Sequence, residues 1–288
     1  MEAKNSNWKT PCYEKLQELL KKRFSASDNQ IQIGLIEDTM SHELYNAVRN
    51  NKNDVNNFLD VLEQVCREKQ IDCSTVLHQA TPTGDSLHHV AAEYGRERIA
   101  ELLVDNNFSL VVTNNRKDTA IHVAARAKNI GVMRVILSKF DDARSKDDFI
   151  MLPNKLGKRA LHEAILSKYL EGLNFLLSEQ SESRVSHKSR GNSPLHAAIS
   201  ENNIAFLKNI VHEKEGLMYF RDEHGNTPLH YAAYIGYVEG VRELLNKSNL
   251  VVFQRNSNGD LPIHIACQSS RVQVVKQLLR IECPYTRF

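Results

Sequence analysis

Apolar positions in this chain come in short runs at helical spacing, separated by polar stretches rich in Gly, Asn, Asp and Ser. The clearest run is GNTPLHYAA, Gly225 to Ala233, followed by a second stripe of Val238, Val241, Leu244 and Leu245. The pairing predicts a small-residue first helix and a bulkier second helix whose apolar face meets its neighbours. The first block carries its own punctuation. Gly225 can take φ > 0 at the turn, Thr227 is a good N-cap, and Pro228 opens the helix where its missing N–H would be unpaired anyway. Ala232 and Ala233 let helices approach closely. The block recurs as GDSLHHVAA (84–92), KDTAIHVAA (117–125), GKRALHEAI (157–165), GNSPLHAAI (191–199) and GDLPIHIAC (259–267). The aligned histidines are His89, His122, His162, His196, His230 and His264, at spacings of 33, 40, 34, 34 and 34 residues.

A period near 33 residues with a T-P-L-H-x-A core resembles the ankyrin repeat, a turn plus two antiparallel helices. The expected fold class is therefore all-α, an ankyrin-repeat solenoid of about seven helix-turn-helix repeats, each touching only its neighbours. Residues 1–38 read as a leader and linker, 39–82 as a degenerate capping repeat with its connection, and 83–288 as six repeats, the last uncapped. The degenerate copy, ELYNAVRNNKNDVNNFLDVLEQV (43–65), keeps Leu44, Ala47 and Val48, then Phe58, Leu59 and Leu62, but lacks the TPLH cap. A polar end repeat is what a solenoid needs to meet water. Residues 66–83 read as a longer connection.

Ahead of it, residues 11–24 have Leu16, Leu19 and Leu20 on one side. A helix packed on the first repeat, or a loosely held leader, is preferred over a membrane-surface helix, since single short helices bind bilayers weakly. Lys117 stands where the other copies have glycine, so that turn must fit allowed φ/ψ or carry strain. Six or seven extra residues within 138–152 are expected as a lengthened second helix or a charged, solvated loop. The last repeat ends in Val274, Val275, Leu278, Leu279 and Ile281, a face that a further repeat would cover. Continuation of the array past Phe288 is expected in preference to a fold-back of the last seven residues.

Of the 288 residues 41% are hydrophobic, enough for a folded chain, and the net charge is +2, from 37 basic and 35 acidic residues. That balance gives no electrostatic case for nucleic acid or an anionic membrane. Cys12, Cys66, Cys73, Cys267 and Cys283 are scattered, without CxxC spacing, which fits a reducing compartment. No stretch approaches 18 consecutive apolar residues, and the polar N-terminus is not a secretory signal. The sequence as given reads as cytoplasmic. Metalloprotease, P-loop, kinase and nucleophile-elbow motifs do not occur, so no catalytic site, metal site or cofactor is expected. In ankyrin repeats the TPLH histidine is structural, which implies that role for the six aligned here; adjacent His88 and His89 point about 100° apart on a helix and would not chelate together.

The ankyrin resemblance implies a groove lined by hairpin tips and by the outer side of the first helices. The expected contact runs across Tyr94, Arg126, Arg190 and Tyr234, with Ile235 and Tyr237 completing an aromatic cluster, because Tyr and Arg are enriched at binding hot spots. The partner expected is a protein or peptide, or another copy of the array.

The strings ELYNAVRNNKNDVNNFLDVLEQV, TPTGDSLHHVAAEYGRERIAELLV, NRKDTAIHVAARA and NKLGKRALHEAI further resemble the ankyrin portion of plant ankyrin–transmembrane proteins of the accelerated-cell-death type. This implies a cytosolic module that in longer members precedes membrane spans, on the cytosolic face of the plasma membrane or an endomembrane. It also implies a role in defence, salicylate-linked responses and cell-death control. Any membrane attachment would run through spans absent from this chain. A soluble adaptor or inhibitor subunit, or the leader of a catalytic domain beyond residue 288, are the competing readings.

Overall fold

A computed structural model describes residues 9–22, 39–50, 54–106, 110–180 and 193–281. Seven helix pairs follow one another: α2 (His42–Asn50) with α3 (Val55–Lys69), α5 (Leu87–Tyr94) with α6 (Glu97–Asp105), α7 (Ala120–Ala127) with α8 (Ile130–Leu137), α10 (Ala160–Leu166) with α11 (Leu170–Glu179), α12 (Pro194–Ser200) with α13 (Ile204–Glu213), α14 (Pro228–Ile235) with α15 (Val238–Lys247), and α16 (Pro262–Gln268) with α17 (Val272–Leu278). Three helices lie outside the pairs: α1 (Lys9–Lys21), α4 (Cys73–His78) and α9 (Ala143–Ile150). The fold is all-α, with a lone Thr39–Ala80 bridge among the described residues.

The chain divides into two compact units, Met1–Asp142 with Pro153–Leu156, and Ala143–Leu152 with Gly157–Phe288. In the first, α2, α5 and α7 form one layer and α3, α6 and α8 the other. Alanines at 91, 92, 124 and 125 are buried between first helices, while Leu102, Leu103, Ile136 and Leu137 fill the second layer. The second unit repeats the arrangement with α10, α12, α14 and α16 against α11, α13, α15 and α17.

Helix α1 packs on α3, α4 and α6 and buries Cys12, Leu16 and Leu19. Its cations are held by carboxylates: Lys9 lies 2.7 Å from Glu101 and 3.0 Å from Asp105, and Lys22 lies 2.9 Å from Glu63. Such part-exposed pairs add little stability each, but they orient the helix by its apolar side. The degenerate repeat replaces the missing cap with Ser41, whose hydroxyl accepts from the Leu44 amide at 3.2 Å.

Two sequence-based expectations need correction. The 138–152 insertion is neither a lengthened second helix nor a solvated loop. It forms α9, which buries Asp147, Phe149 and Ile150 against α11 and sets Lys146 2.8 Å from Glu179. Its apolar pair at 149–150, masked by flanking charge, supplies enough area to dock it. The 66–83 connection likewise contains α4, buried through Cys73, Val76 and Leu77.

Lys117 takes the left-handed conformation at φ 57°, the same region its glycine counterparts occupy. Glycine is demanded more firmly at Gly225. There φ is +75°, and a Cβ would lie 2.7 Å from the Ser257 amide nitrogen of the next turn. The two turns are joined at that point by Ser257 N–H donating to His224 O at 3.0 Å. Gly259, at φ +83°, has open space around it. Gly259→Ala should therefore cost only the left-handed strain of about 1 kcal/mol, while Gly225→Ala should cost about 2 kcal/mol or more because neighbouring backbone must also move. Paired urea titrations check this, and equal midpoints would refute the steric account.

Candidate interaction surface

Each TPLH histidine sits in the first turn of a first helix, where its ring closes the helix start. The His230 Nδ1 accepts from the Thr227 amide at 3.1 Å and lies 2.8 Å from the Thr227 hydroxyl. Its Nε2 donates to Asp260 O of the next repeat at 3.0 Å. His89 does the same with Ser86 at 3.2 and 2.8 Å and with Asp118 O at 2.8 Å. His122, His162 and His196 accept from the amides of Thr119, Arg159 and Ser193 at 3.2, 3.2 and 3.3 Å. All five are buried. Burial lowers the His89, His196 and His230 rings from their ordinary value, His196 to about 4, so they stay neutral and keep one nitrogen as acceptor and one as donor. His264 differs: its side chain is 49% exposed, and its Nδ1 accepts from the Leu261 amide at 3.2 Å. Among the described residues no group of three or more His, Cys, Asp or Glu could hold a metal ion.

The turns are tied by their own Asn and Asp side chains. Asn114 Oδ1 accepts from the amides of Arg116 and Asp118 at 2.9 and 3.0 Å, while its Nδ2 donates to Asp85 at 2.7 Å. Asp222 and Asn256 repeat the first part of this pattern. These Asx turns were legible as an Asn or Asp four residues before the polar residue that closes the same turn, Asp118, Asn226 or Asp260. Between the tips and the first helices of the first unit lies a groove of about 850 Å³. Its floor is apolar, from Val90, Val123, Ala127 and Met40, and its walls are the 81–85 and 114–116 turns, with Tyr45 and His42 at the end-repeat side.

Tyr94 adjoins this groove through Tyr45. The two phenol oxygens are 3.0 Å apart, the rings meet edge to face at 86°, and the Arg49 guanidinium stands 5.7 Å over the Tyr94 ring. The hydrogen bond to Tyr94, aided by burial, pushes Tyr45 up to about 12, so the Tyr45 phenol remains neutral. Arg126 lines the groove and is held from behind by Asp118, 2.7 Å away and fully buried. Burial alone would raise the Asp118 carboxyl, but hydrogen bonds from Arg126 and Asn154 outweigh it and hold the group below its ordinary value. Tyr45 was missed by sequence reading because the degenerate repeat carries no TPLH frame to align it.

The remaining candidates fall in the second unit or outside the described residues. Tyr234 is 58% exposed at the end of α14, and Ile235 beside it is half-buried. Tyr237 is not part of a surface cluster. It is buried at 7% exposure, with its ring against the Cα of Gly240, where a Cβ would lie 2.4 Å from the ring. The Tyr169 ring lies over Gly172 in the same way, so the recurring Y-x-x-G was the available signal that this tyrosine folds onto the first turn of the helix it precedes. Arg190 lies outside the described residues. No helix among the described residues is long and apolar enough to cross a membrane.

The same arrangement occurs in solved structures. The ankyrin repeat domain of Bcl-3, described as a unique member of the IkappaB protein family, is 20% identical, with a TM-score of 0.65 over 84% of this chain and all of that one. The human ASB11 ankyrin repeat domain is 20% identical, with a TM-score of 0.58 over 85% of this chain and all of that one. A chain from the structure of the predatory endopeptidase Bd0816 of Bdellovibrio bacteriovorus with immunity protein Bd3460 is 20% identical, with a TM-score of 0.51 over 68% of this chain and 97% of its own. A search of curated proteins found no match. The model for ankyrin repeats in sets of three copies matches residues 44–147, 87–188, 161–254 and 195–287. Those overlapping matches cover the helix pairs, the turn ties and the ring-closed helix starts alike, and the chain belongs to the ankyrin-repeat family.

Proposed function

We propose that this chain is a non-catalytic module that binds a protein or peptide in the groove of its first unit. The observation that carries the reading is a preformed concavity of about 850 Å³ with an apolar floor and a wall of committed turns. Its polar groups are held before any partner arrives, which limits the entropy lost on binding. Tyr94 and Arg126 are the proposed anchors there, joined by Tyr45 and Arg116. Tyr234 and Ile235 are a separate proposed contact in their own unit. Resemblance to plant ankyrin–transmembrane proteins supports a role in defence and cell-death control. A second reading, a soluble adaptor or inhibitor subunit, draws on likeness to a chain from a complex of an endopeptidase with an immunity protein.

The test uses a photo-crosslinking residue at position 116 and, as control, at Arg67, 67% exposed on α3. Adducts are expected from position 116 alone. Arg116→Glu should then weaken the captured partner at least about tenfold while shifting stability by under about 0.5 kcal/mol. Equal adducts from both positions would remove the groove from consideration. Tyr234→Ala, measured beside it, reports whether the second unit contributes. The intact mass and membrane partition of the endogenous protein separate the two biological readings.

A further inference from the structure

Two of the cysteines that the sequence left scattered meet in the fold. Cys66, near the C-terminal end of α3, and Cys73, which opens α4, have their Sγ atoms 2.7 Å apart. Both are buried, at 0% and 1% exposure. That separation is well inside the contact distance of two sulfur atoms and only about 0.7 Å beyond a covalent S–S bond. The remaining described cysteines take no part: buried Cys12 faces Asn56 Oδ1 at 3.5 Å, and Cys267 is exposed in the other unit. With no third ligand among the described residues, the two thiols favour a bond to each other over a structural metal.

We propose that Cys66 and Cys73 are a redox modification site, converted by a peroxide into an intramolecular disulfide that staples α4 to α3. The Cys73 thiolate attacks one oxygen of hydrogen peroxide. The O–O bond breaks, hydroxide leaves and takes up the Cys73 proton as water, and a sulfenic acid remains. Cys66 then attacks that sulfur, so that the S–S bond forms, the S–O bond breaks, and the hydroxyl leaves with the Cys66 proton as a second water. Two electrons pass from the sulfurs to the peroxide. The order of attack follows from the local chemistry: the hydrogen bond from Cys66 lowers Cys73, and the same bond together with burial raises Cys66. Burial means that the peroxide reaches the pair when the six-residue α4 lifts from α3, so the reaction runs slower than oxidation of exposed Cys267. The stapled helix leads through the Thr39–Ala80 bridge directly into the 81–85 turn.

The test needs no variant. The full-length folded chain is treated with hydrogen peroxide, quenched, unfolded in an alkylating agent and digested with trypsin. Arg67 and Lys69 separate the two cysteines, so a disulfide must appear as two linked peptides, 53–67 and 70–96, absent after reduction. The expected result is that this linked pair accounts for most of Cys66 and Cys73 at a peroxide dose that already oxidises Cys267. The proposal is overturned if both cysteines remain alkylatable at that dose. It is equally overturned if the pair forms only when oxidation is carried out in denaturant, or if either cysteine links instead to Cys12 or Cys267.

Discussion

Lowering the pH from 6.5 to about 4 is expected to strip several kcal/mol of stability from this protein through its buried histidines. Burial moves His88 in the first unit and His196 in the second from an ordinary 6.5 to about 4. Both are almost wholly buried. The sign follows from linkage: the unfolded chain binds these protons at pH 6.5 and the folded chain does not, so each fall in pH below 6.5 favours unfolding. The stability these rings contribute is complete above 6.5 and is gone once pH has fallen through the folded value. At 1.36 kcal/mol for each tenfold, the loss is about 3 kcal/mol per ring. Against a net stability of roughly 5–15 kcal/mol that is decisive, and His89 and His230, shifted in the same direction by burial, add to it.

Urea midpoints taken at half-unit steps between pH 7.5 and 3.5 check this, together with NMR titration of the imidazole carbons. A midpoint that stayed level through the window would sink the account. Two carboxylates act at the lower end of this window. Asp118 and Glu63 are held below their ordinary values, so their contribution is lost only as pH falls further, toward and below 4. His88→Gln should shrink the histidine window of the first unit to the part that His89 contributes and leave the second unit's unchanged.

The array itself was readable because each repeat states its local preferences redundantly. Turn glycine, cap, first-turn histidine and alanine pair all agree, and six agreeing copies outweigh any one eroded position. What escaped the sequence is what depends on a single long-range contact. Helix α9 looked like a charged loop because Phe149 and Ile150 are its only buried apolar residues. Tyr237 looked like a surface anchor because its burial depends on the small cross-section of Gly240, three residues on. Tyr45 and Tyr94, 49 residues apart, become one element of the groove only when two first helices are laid side by side. Cys66 and Cys73 show the same limit at short range: no CxxC spacing announces them, yet a helix end and a turn bring them together.

The largest single-residue effect is expected from His230→Ala, and the same substitution at His264 supplies its control. The two occupy the same motif position and differ only in surroundings. Removing the His230 ring leaves the Thr227 amide and hydroxyl without their acceptor, withdraws the donor from Asp260 O, and opens a void among residues that exclude water. Unpaired buried polar groups cost about 1–3 kcal/mol and the void adds its own term, so a loss of about 3 kcal/mol is expected. His264 is half exposed and keeps one bond, to the Leu261 amide, which water can replace. His264→Ala should cost under about 1 kcal/mol. Hydrogen exchange localises the effect: amides of 227–233 and 256–262 should lose protection in His230→Ala, because the ring ties those two turns together. Equal losses at both histidines would mean that the motif position, rather than the inter-repeat bond, sets the energy, and the ring would then be a helix cap and nothing more. Unequal losses in the expected order make it the pin between successive repeats.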